Sequence, residues 1–231
     1  MANTDAATAG YPLPELLPVE LPADPMPMAK EWMDKAWADY VQPNANAVYL
    51  ATVGEGGCPS VRAVLCKDLI VDPGYAIFYT NLKSRKAQEI AANPRVALLL
   101  HWDTLNRQIR IEGTAVASPA AESDKYFATR PVASKIGAWT SEQSAPIESR
   151  AALMANITQT MLRLGVKLDD KDAEIERPPS WGGFRVWAEH VELWVGQESR
   201  VHDRARWSRS LTPDGEHGFV CGAWASTRLQ P

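Results

Sequence analysis

The chain has 231 residues, and 45% of them are hydrophobic, which is enough to bury the core of one large domain. Its formal net charge of −4 at pH 7 gives no general attraction for nucleic acid or for an anionic membrane surface. No apolar run approaches the roughly 20 residues of a membrane span, and the N-terminus lacks the pattern of a secretory signal. We therefore expect a cytoplasmic globular protein without nucleic-acid or membrane partners.

The first predicted elements are an arm and a helix. Residues 1–23 are rich in Ala, Pro and Leu with little periodicity, which predicts a flexible arm that orders only against another surface. Asp24 and Pro25 are typical of a helix start, with Asp as the N-cap and Pro in the first turn. We expect residues 24–231 to form a single domain.

From residue 47 onward the pattern changes to short runs rich in β-branched and aromatic residues, separated by Gly, Pro or Asn. Successive strands with few helices between them predict an antiparallel sheet or barrel, so the expected fold class is mainly β with peripheral helices, an α+β arrangement. The predicted strands are Ala47–Val53, Pro59–Leu69, Tyr75–Thr80, Arg95–Trp102, Gln108–Ser118, Phe184–Trp187, Val191–Val195 and segments after Arg204. The predicted helices after the first are Ser84–Ala92, Pro119–Thr129 and Glu148–Leu164.

Several common chemical motifs are missing from the sequence. It contains neither of the glycine-rich phosphate loops, and the glycines at positions 54–57 between two predicted strands are typical of a hairpin turn. Cys58, Cys66 and Cys221 and the four histidines have no spacing that indicates a disulfide framework or a zinc site. We predict no metal site, and any phosphate must be bound by side chains.

Arg and Lys are unusually dense at the ends of the predicted strands. Arg62 and Lys67 share one strand, and Arg85 and Lys86 follow another. Guanidinium and ammonium groups are the usual phosphate ligands, although most such side chains on protein surfaces are simply solvated charges. Arg62 and Lys67 would also point to opposite faces of a regular strand, so spacing leaves open whether they share a ligand.

A second cationic group occurs near the C-terminus. Alternation along a strand would place Arg200, His202 and Arg204 side by side on one face. Such groups repel one another unless an anion or acidic partner lies among them. The alternative is an exposed strand edge whose cations pair with Asp203 or Glu198.

These residues belong to longer stretches that resemble the pyridoxine 5′-phosphate oxidase family. Several of the stretches are long, they occur in the family's order, and together they cover nearly all of the chain from residue 22 onward. The stretches are PADPM at 22–26, Arg62–Lys67, Phe78–Lys86, NPRVALL at 93–99, Arg107-Gln108, Glu122–Pro131, Ser134–Ser144, Trp181–Val186, RVHDR at 200–204 and the terminal RLQP.

The resemblance implies an FMN-binding split β-barrel that works as a homodimer, with FMN in the cleft between the subunits. By position in the family's motifs, the residues expected around FMN are Arg62, Lys67, Tyr79, Thr80, Arg85, Lys86, Gln108, Gln143, Ser144, Trp194 and Arg204. Those expected to bind the substrate are Lys67, Tyr126, Arg130 and Ser134 at its phosphate and Arg200 and His202 at its pyridine ring, the last two being the catalytic candidates.

The implied activity is oxidation of pyridoxamine or pyridoxine 5′-phosphate to pyridoxal 5′-phosphate, with O2 as acceptor and hydrogen peroxide as product. Two alternatives are a different flavin oxidase or reductase on the same barrel, such as a phenazine-pathway-like enzyme, and a non-catalytic protein that binds FMN or pyridoxal phosphate. Without the family, Tyr126 and Arg130 would be interpreted as an i,i+4 helix pair and Ser134 as the cap of the next segment. The sequence departs from the family in its arm, because residues 1–20 contain no Arg or Lys, and at Asn44-Ala45 and 211–226.

Overall fold

The computed structural model describes residues 15–170 and 173–231. The helices are α1 Met26–Ala38, α2 Arg85–Ala92, α3 Ala120–Ala128, α4 Val132–Thr140 and α5 Arg150–Leu164, with short 3-10 turns at Asp103–Leu105 and Glu198–Arg200. The strands are β1 Ala47–Val53, β2 Pro59–Ile70, β3 Tyr75–Asn81, β4 Arg95–Trp102, β5 Arg107–Ala117, β6 Trp181–Val195, β7 Asp203–Ser208, β8 Leu211–Asp214, β9 Gly218–Cys221 and β10 Ala225–Leu229. Within the described ranges, no helix combines the length and apolar character needed to cross a membrane.

Six antiparallel strands close a barrel in the order β6, β3, β2, β1, β4 and β5, with β5 pairing back to β6. The 15-residue β6 makes this closure possible, because its first half pairs with β3 while its last residues pair with both β5 and β7. Strands β7 and β10 extend the sheet beyond the barrel, and β8 and β9 form a separate hairpin. The predicted mainly β fold with peripheral helices is confirmed.

The barrel core follows from period-two alternation. In β1, Val48 and Leu50 are buried while Tyr49 between them is half exposed, and β4 alternates in the same way. Side chains of β5, such as Ile109 and Ile111, complete the interior, and helices α1 and α2 add buried residues to the same core cluster. The outward positions are therefore free to carry a site or an interface.

The predicted element boundaries needed two corrections. The structure has one continuous strand where we predicted Phe184–Trp187 and Val191–Val195, because a register shift opposite Gly113 of β5 lets the polar stretch between them stay in the sheet. Helix α4 was not predicted, since Gly137 lies in its middle and weakens the helical pattern. The start of α1 matches the prediction, with the carboxylate of Asp24 accepting the Met26 N–H at 2.8 Å.

The described part of the predicted N-terminal arm, residues 15–23, lies against the C-terminal strands. The Leu17 N–H donates to Oδ2 of Asp203 at 2.9 Å, and Trp207 Nε1 donates to the Pro22 carbonyl at 2.8 Å. The side chain of Leu17 is buried. The first 14 residues of the arm lie outside the described residues, so its flexibility stays a prediction.

Candidate functional site

A cavity of about 930 Å³ opens beside strands β2 and β3, between them and helices α3 and α4. Five cationic side chains line it, and no Asp or Glu of the described ranges does. Such a concentration of positive charge in a concave site favours a ligand with one or more anionic groups. The cations are Arg62, Lys67, Arg85, Lys86 and Arg130.

The cavity brings together most of the residues predicted from the resemblance. Segments that are far apart in sequence meet here because β3, α2 and the loop after α4 all end at this side of the barrel. From the expected FMN set the cavity contains Arg62, Lys67, Tyr79, Thr80, Arg85, Lys86, Gln143 and Ser144, and from the expected phosphate set it contains Lys67, Tyr126, Arg130 and Ser134.

Arg62 and Lys67 share the cavity although a regular strand would point them to opposite faces. The pairing of β2 with β3 shifts register between Cys66 and Asp68, which leaves Lys67 as an extra residue in a β-bulge. A bulge bends the strand and redirects one side chain. Because of this irregularity both side chains line one cavity.

Lys86 lies at the centre of a polar network in the cavity. Its Nζ donates to Oε1 of Gln143 at 2.8 Å and to Oγ1 of Thr80 at 3.1 Å, and the Thr80 hydroxyl donates to the same Gln143 oxygen at 3.0 Å. Lys86 is buried, and burial together with the nearby charge of Arg62 lowers the pKa of its ammonium group. Among the residues that the structure describes, no carboxylate pairs with this ammonium group, so a bound anion would favour its charged form.

Arg62 and Arg85 are both hydrogen-bonded to the carboxylate of Glu89. Nη2 of Arg62 donates to Oε2 of Glu89 at 2.9 Å, and Nε of Arg85 donates to Oε1 at 2.8 Å. The Thr52 hydroxyl also donates to Glu89 and accepts from Arg62. The hydrogen bond from Thr52, followed by those from Arg85 and Arg62, lowers the pKa of Glu89, so the carboxylate stays ionised.

Arg130, another cation of the cavity lining, lies over two aromatic rings. Its guanidinium carbon is 4.7 Å from the ring centroid of Trp181 and 5.5 Å from that of Phe127. Its Nη1 is buried and has no hydrogen-bond partner within the described part of the chain, and burial lowers the pKa of the group. Since buried donors are almost always satisfied, this nitrogen is available to donate to an acceptor bound in the cavity.

The i,i+4 interpretation of Tyr126 and Arg130 is wrong, because α3 ends at Ala128. Arg130 lies in the turn that follows, where its N–H donates to the Phe127 carbonyl at 3.1 Å. The Tyr126 ring instead stacks on Tyr79, with centroids 4.2 Å apart, and Lys67 Nζ lies 5.6 Å from its centroid. Ser134 is not a cap either, since it lies within the first turn of α4.

The remaining predicted residues form a second group at the far end of β6. Gln108, Trp194 and Arg204 are cross-strand neighbours on β5, β6 and β7, and the His202 ring lies 4.7 Å from that of Trp194. None of them lines the cavity, and neither does Arg200. Since a strand rises about 3.3 Å per residue, the two ends of β6 are tens of ångströms apart. One protomer therefore does not bring both groups together.

The predicted alternation of Arg200, His202 and Arg204 on one strand face is also wrong. Strand β7 begins only at Asp203, and Arg200 ends a 3-10 turn with a positive φ of 62°. The partner of Arg204 is Glu192, at 2.8 Å, rather than Asp203 or Glu198. No group of three or more metal-ligating side chains occurs within residues 15–170 and 173–231.

Sequence reasoning missed two residues at the cavity, Trp181 in its lining and Glu89 next to it. Trp181 had no predicted role in the site. It is buried in the core cluster beside α3 and α4, and its ring also lies under the guanidinium group of Arg130. Glu89 was not singled out, although its i,i+4 spacing from Arg85 and its position on a short helix were visible signals. Both residues act through neighbours, and those contacts exist only in the folded chain.

Two family models match the chain. Residues 33–163 match a model described as pyridoxamine 5′-phosphate oxidase, and residues 181–231 match one described as the pyridoxine 5′-phosphate oxidase C-terminal dimerisation region. The relatives include pyridoxine/pyridoxamine 5′-phosphate oxidases of Burkholderia multivorans, 45% identical over 208 residues, and of Rubrobacter xylanophilus, 43% identical over 212 residues. These alignments cover 90% of this chain and 89% and 88% of the two relatives.

Two solved structures resemble the fold. PhzG from Burkholderia lata, in complex with tetrahydrophenazine-1-carboxylic acid, has a TM-score of 0.76 at 28% identity, covering 94% of this chain and 100% of that one. A pyridoxamine 5′-phosphate oxidase-related, FMN-binding protein from Nostoc punctiforme has a TM-score of 0.62 at 16% identity, covering 89% and 95%. The second likeness concerns the fold alone, and it agrees with the predicted split β-barrel. On the family models and these identities, the chain belongs to the pyridoxine/pyridoxamine 5′-phosphate oxidase family.

Proposed function

We propose that the protein is an FMN-dependent oxidase that converts pyridoxamine or pyridoxine 5′-phosphate to pyridoxal 5′-phosphate, with O2 as acceptor and hydrogen peroxide as product. The observation that carries this proposal is the cavity with five cations and no lining carboxylate among the described residues. Its cations fall into two groups with different neighbours, as two separate phosphates would require. Arg62, Arg85 and Lys86 are hydrogen-bonded to polar side chains, whereas Lys67 and Arg130 lie beside aromatic rings. Family membership supports the same reaction.

The first group of cations fits the phosphate of FMN. Arg62 and Arg85 present guanidinium groups anchored by Glu89, and the buried ammonium of Lys86 lies among the side chains of Thr80 and Gln143. Ser144 lines the same wall. Bound there, FMN would supply two-electron redox chemistry, which no side chain provides. The protein's contribution is to bind and orient.

The second group fits the phosphate of the substrate. The unpaired Nη1 of Arg130, the ammonium of Lys67 and the hydroxyls of Tyr126 and Ser134 all belong to the lining. The stacked rings of Tyr126, Tyr79 and Trp181 form a rigid wall behind them. Fixing the phosphate in this way would hold the substrate's C4′ at a constant distance from the flavin.

We also propose a homodimer with FMN in the cleft between the subunits. The outward face of β1 and β2 exposes Tyr49, Val61 and Leu65, and Tyr49 is paired with Ala63 on one side and Leu99 on the other. An apolar sheet face of this kind is typical of an interface. In a two-fold dimer, the residues at the far end of β6 in one protomer would complete the cavity of its partner. These residues are Gln108, Trp194, Arg200, His202 and Arg204. The match to a dimerisation region supports this assembly.

In that assembly Arg200 and His202 would contact the substrate's pyridine ring. Nδ1 of His202 accepts the Gln197 N–H at 3.1 Å, so the neutral ring carries its proton on Nε2 and can donate it to the substrate. Oxidation would remove a hydride from C4′, to be accepted by bound FMN, and a proton from the attached oxygen or nitrogen. With pyridoxamine phosphate the product of this step is an imine, and its hydrolysis by water would give pyridoxal phosphate and release ammonia. His202 and Arg200 would orient the ring while the hydride and the proton leave, and Trp194 would fix the imidazole plane.

The test is aerobic incubation of purified, FMN-loaded protein with pyridoxine 5′-phosphate and, separately, with pyridoxamine 5′-phosphate. Pyridoxal phosphate is followed by its absorbance and peroxide by a coupled assay. We expect turnover of at least one substrate with equal amounts of both products. Bound flavin without turnover of either would contradict the proposal and favour the non-catalytic alternative.

The likeness to PhzG makes a phenazine-pathway oxidase the second candidate. A tricyclic carboxylic acid has no phosphate, so Arg130 and Lys67 would then contribute little to substrate binding. Assaying a dihydro- or tetrahydrophenazine carboxylic acid beside the two vitamin B6 phosphates distinguishes the candidates. We expect the phosphates to be the better substrates.

A further inference from the structure

Glu89 is a buried carboxylate next to the cationic wall of the cavity, the part of the lining formed by Arg62, Arg85 and Lys86. Its side chain is 8% exposed and does not belong to the cavity lining. It lies on α2 and packs against the start of the turn after β1, where a Cβ added to Gly54 would lie 3.6 Å from the Glu89 Cγ. In the function proposed above Glu89 acts only through Arg62 and Arg85, to which it is hydrogen-bonded.

Both oxygens of Glu89 are used by cavity residues. Oε1 accepts from Arg85, and Oε2 accepts from Arg62 and from the hydroxyl of Thr52. Arg62 is further fixed by Ser60 at 2.8 Å and by the Leu50 carbonyl at 3.2 Å. A buried carboxylate is costly unless it is fully paired, and here every partner is either an arginine of the cavity wall or a group that contacts one.

The cations next to Glu89 could act on a bound anion in two ways, through their positive charge alone or through their fixed positions, and the place of the carboxylate favours one of them. If the wall needed only positive charge, Glu89 would be unfavourable, because it repels an anion bound next to the arginines. If the wall needs fixed geometry, the carboxylate is useful, because it immobilises two long side chains before the ligand arrives. The division of its two oxygens between two arginines matches the second role.

We propose that Glu89 is a positioning residue that preorganises Arg62 and Arg85 for the phosphate of FMN. The inference rests on the proposed function, since it takes the anion at this wall to be that phosphate. Thr52 belongs to the same hydrogen-bond network, because its hydroxyl donates to Glu89 and accepts from Arg62.

The test compares FMN with riboflavin, which lacks the phosphate, in titrations of the full-length apoprotein followed by flavin fluorescence. Glu89→Gln keeps the shape and removes the charge. We expect its FMN affinity to fall roughly tenfold to a hundredfold, the range for losing charge-assisted hydrogen bonds, while riboflavin affinity stays at the wild-type value. An unchanged or higher FMN affinity would overturn the inference, the higher value indicating that charge alone matters.

Two further variants make the result independent of folding defects. Glu55→Gln removes the same charge from the exposed turn between β1 and β2 and should leave both affinities unchanged. Thr52→Val keeps the buried shape and removes only the hydroxyl, so it should lower FMN affinity less than Glu89→Gln and leave riboflavin unaffected. If Glu89→Gln does not fold, a wild-type FMN affinity in Thr52→Val overturns the inference.

The same titrations distinguish a failure of the proposed function from a failure of the role given to Glu89. If the wild-type protein binds riboflavin as tightly as FMN, there is no phosphate site at this wall, and the proposed function falls together with this inference. If the wild type prefers FMN and Glu89→Gln retains that preference in full, only the role of Glu89 is wrong.

Discussion

At the scale of single residues, Lys86 should make flavin binding dependent on pH. Burial and Arg62 lower the pKa of its ammonium group below the ordinary 10.5, and a bound phosphate would raise it again by favouring the charged form. At a pH between the lowered pKa of the free protein and the raised pKa of the complex, Lys86 therefore takes up a proton when FMN binds. We therefore expect FMN affinity to fall as the pH rises through the lowered pKa of the free protein toward 10.5.

The measurement is the FMN dissociation constant from neutral to alkaline pH, with riboflavin measured in parallel. Riboflavin should show no such loss, since it lacks the group that interacts with Lys86. Lys86→Met should bind FMN more weakly at neutral pH and lose this alkaline decrease. An identical decrease in Lys86→Met would assign the titration to another group.

At the scale of elements, the closure of the barrel depends on Gly113. It lies at the register shift between β5 and β6, where a Cβ would lie 1.9 Å from the carbonyl oxygen of Trp187. A backbone atom cannot rotate away as a flexible side chain can, so the two strands would have to separate. We expect Gly113→Ala to lower the free energy of unfolding by about 1–3 kcal/mol, the usual range for overpacking.

Chemical denaturation measures this loss. The matched control is Gly56→Ala in the exposed turn between β1 and β2, where a Cβ would meet nothing within 4 Å. That substitution should change stability by no more than a few tenths of a kcal/mol. Equal stability of the two variants would show that β5 and β6 accommodate the extra atom without strain.

At the scale of the whole molecule, the exposed sheet face should determine assembly. Tyr49 is 50% exposed in the middle of an apolar surface on β1, β2 and β4. A charge there would be buried without a partner in the dimer, so we expect Tyr49→Asp to give monomers that retain FMN poorly. Light scattering after size exclusion gives the mass. Leu162→Asp, at a position 76% exposed on α5 and outside the matched dimerisation region, should remain dimeric.

A shared site can also be tested by complementation. Arg130→Ala disables the cavity of its own subunit, whereas Arg200→Ala disables the partner's cavity, so each homodimer should keep its flavin and lose turnover. In a mixed population, half of the dimers combine the two variants, and each such dimer has one of its two sites intact. We expect recovery of about a quarter of wild-type activity after co-expression. No recovery would place both residues in the site of one subunit.

Local sequence patterns determined most of the elements and the types of residue in the site. Apolar alternation predicts β1, β4 and β5 because every second side chain must leave water, and proline with a capping residue predicts the start of α1. The anion site around Arg62, Lys86 and Arg130 was predicted only through the resemblance of their motifs to the family, because arginines and lysines alone are as well explained as solvated surface charges. These signals are short-range, so one sequence is enough to show them.

Only the tertiary structure decided how these parts combine. Three features of the site depend on contacts between residues far apart in the chain. They are the bulge that turns Lys67 toward the cavity, the hydrogen bonds of two arginines to Glu89 and the packing of Arg130 on the Trp181 ring. The same holds for the separation of Arg200 and His202 from the cavity, because the path of β6 places them at the opposite end of the barrel. Periodicity gives the face on which a side chain lies, but register, bulges and barrel closure determine which faces meet.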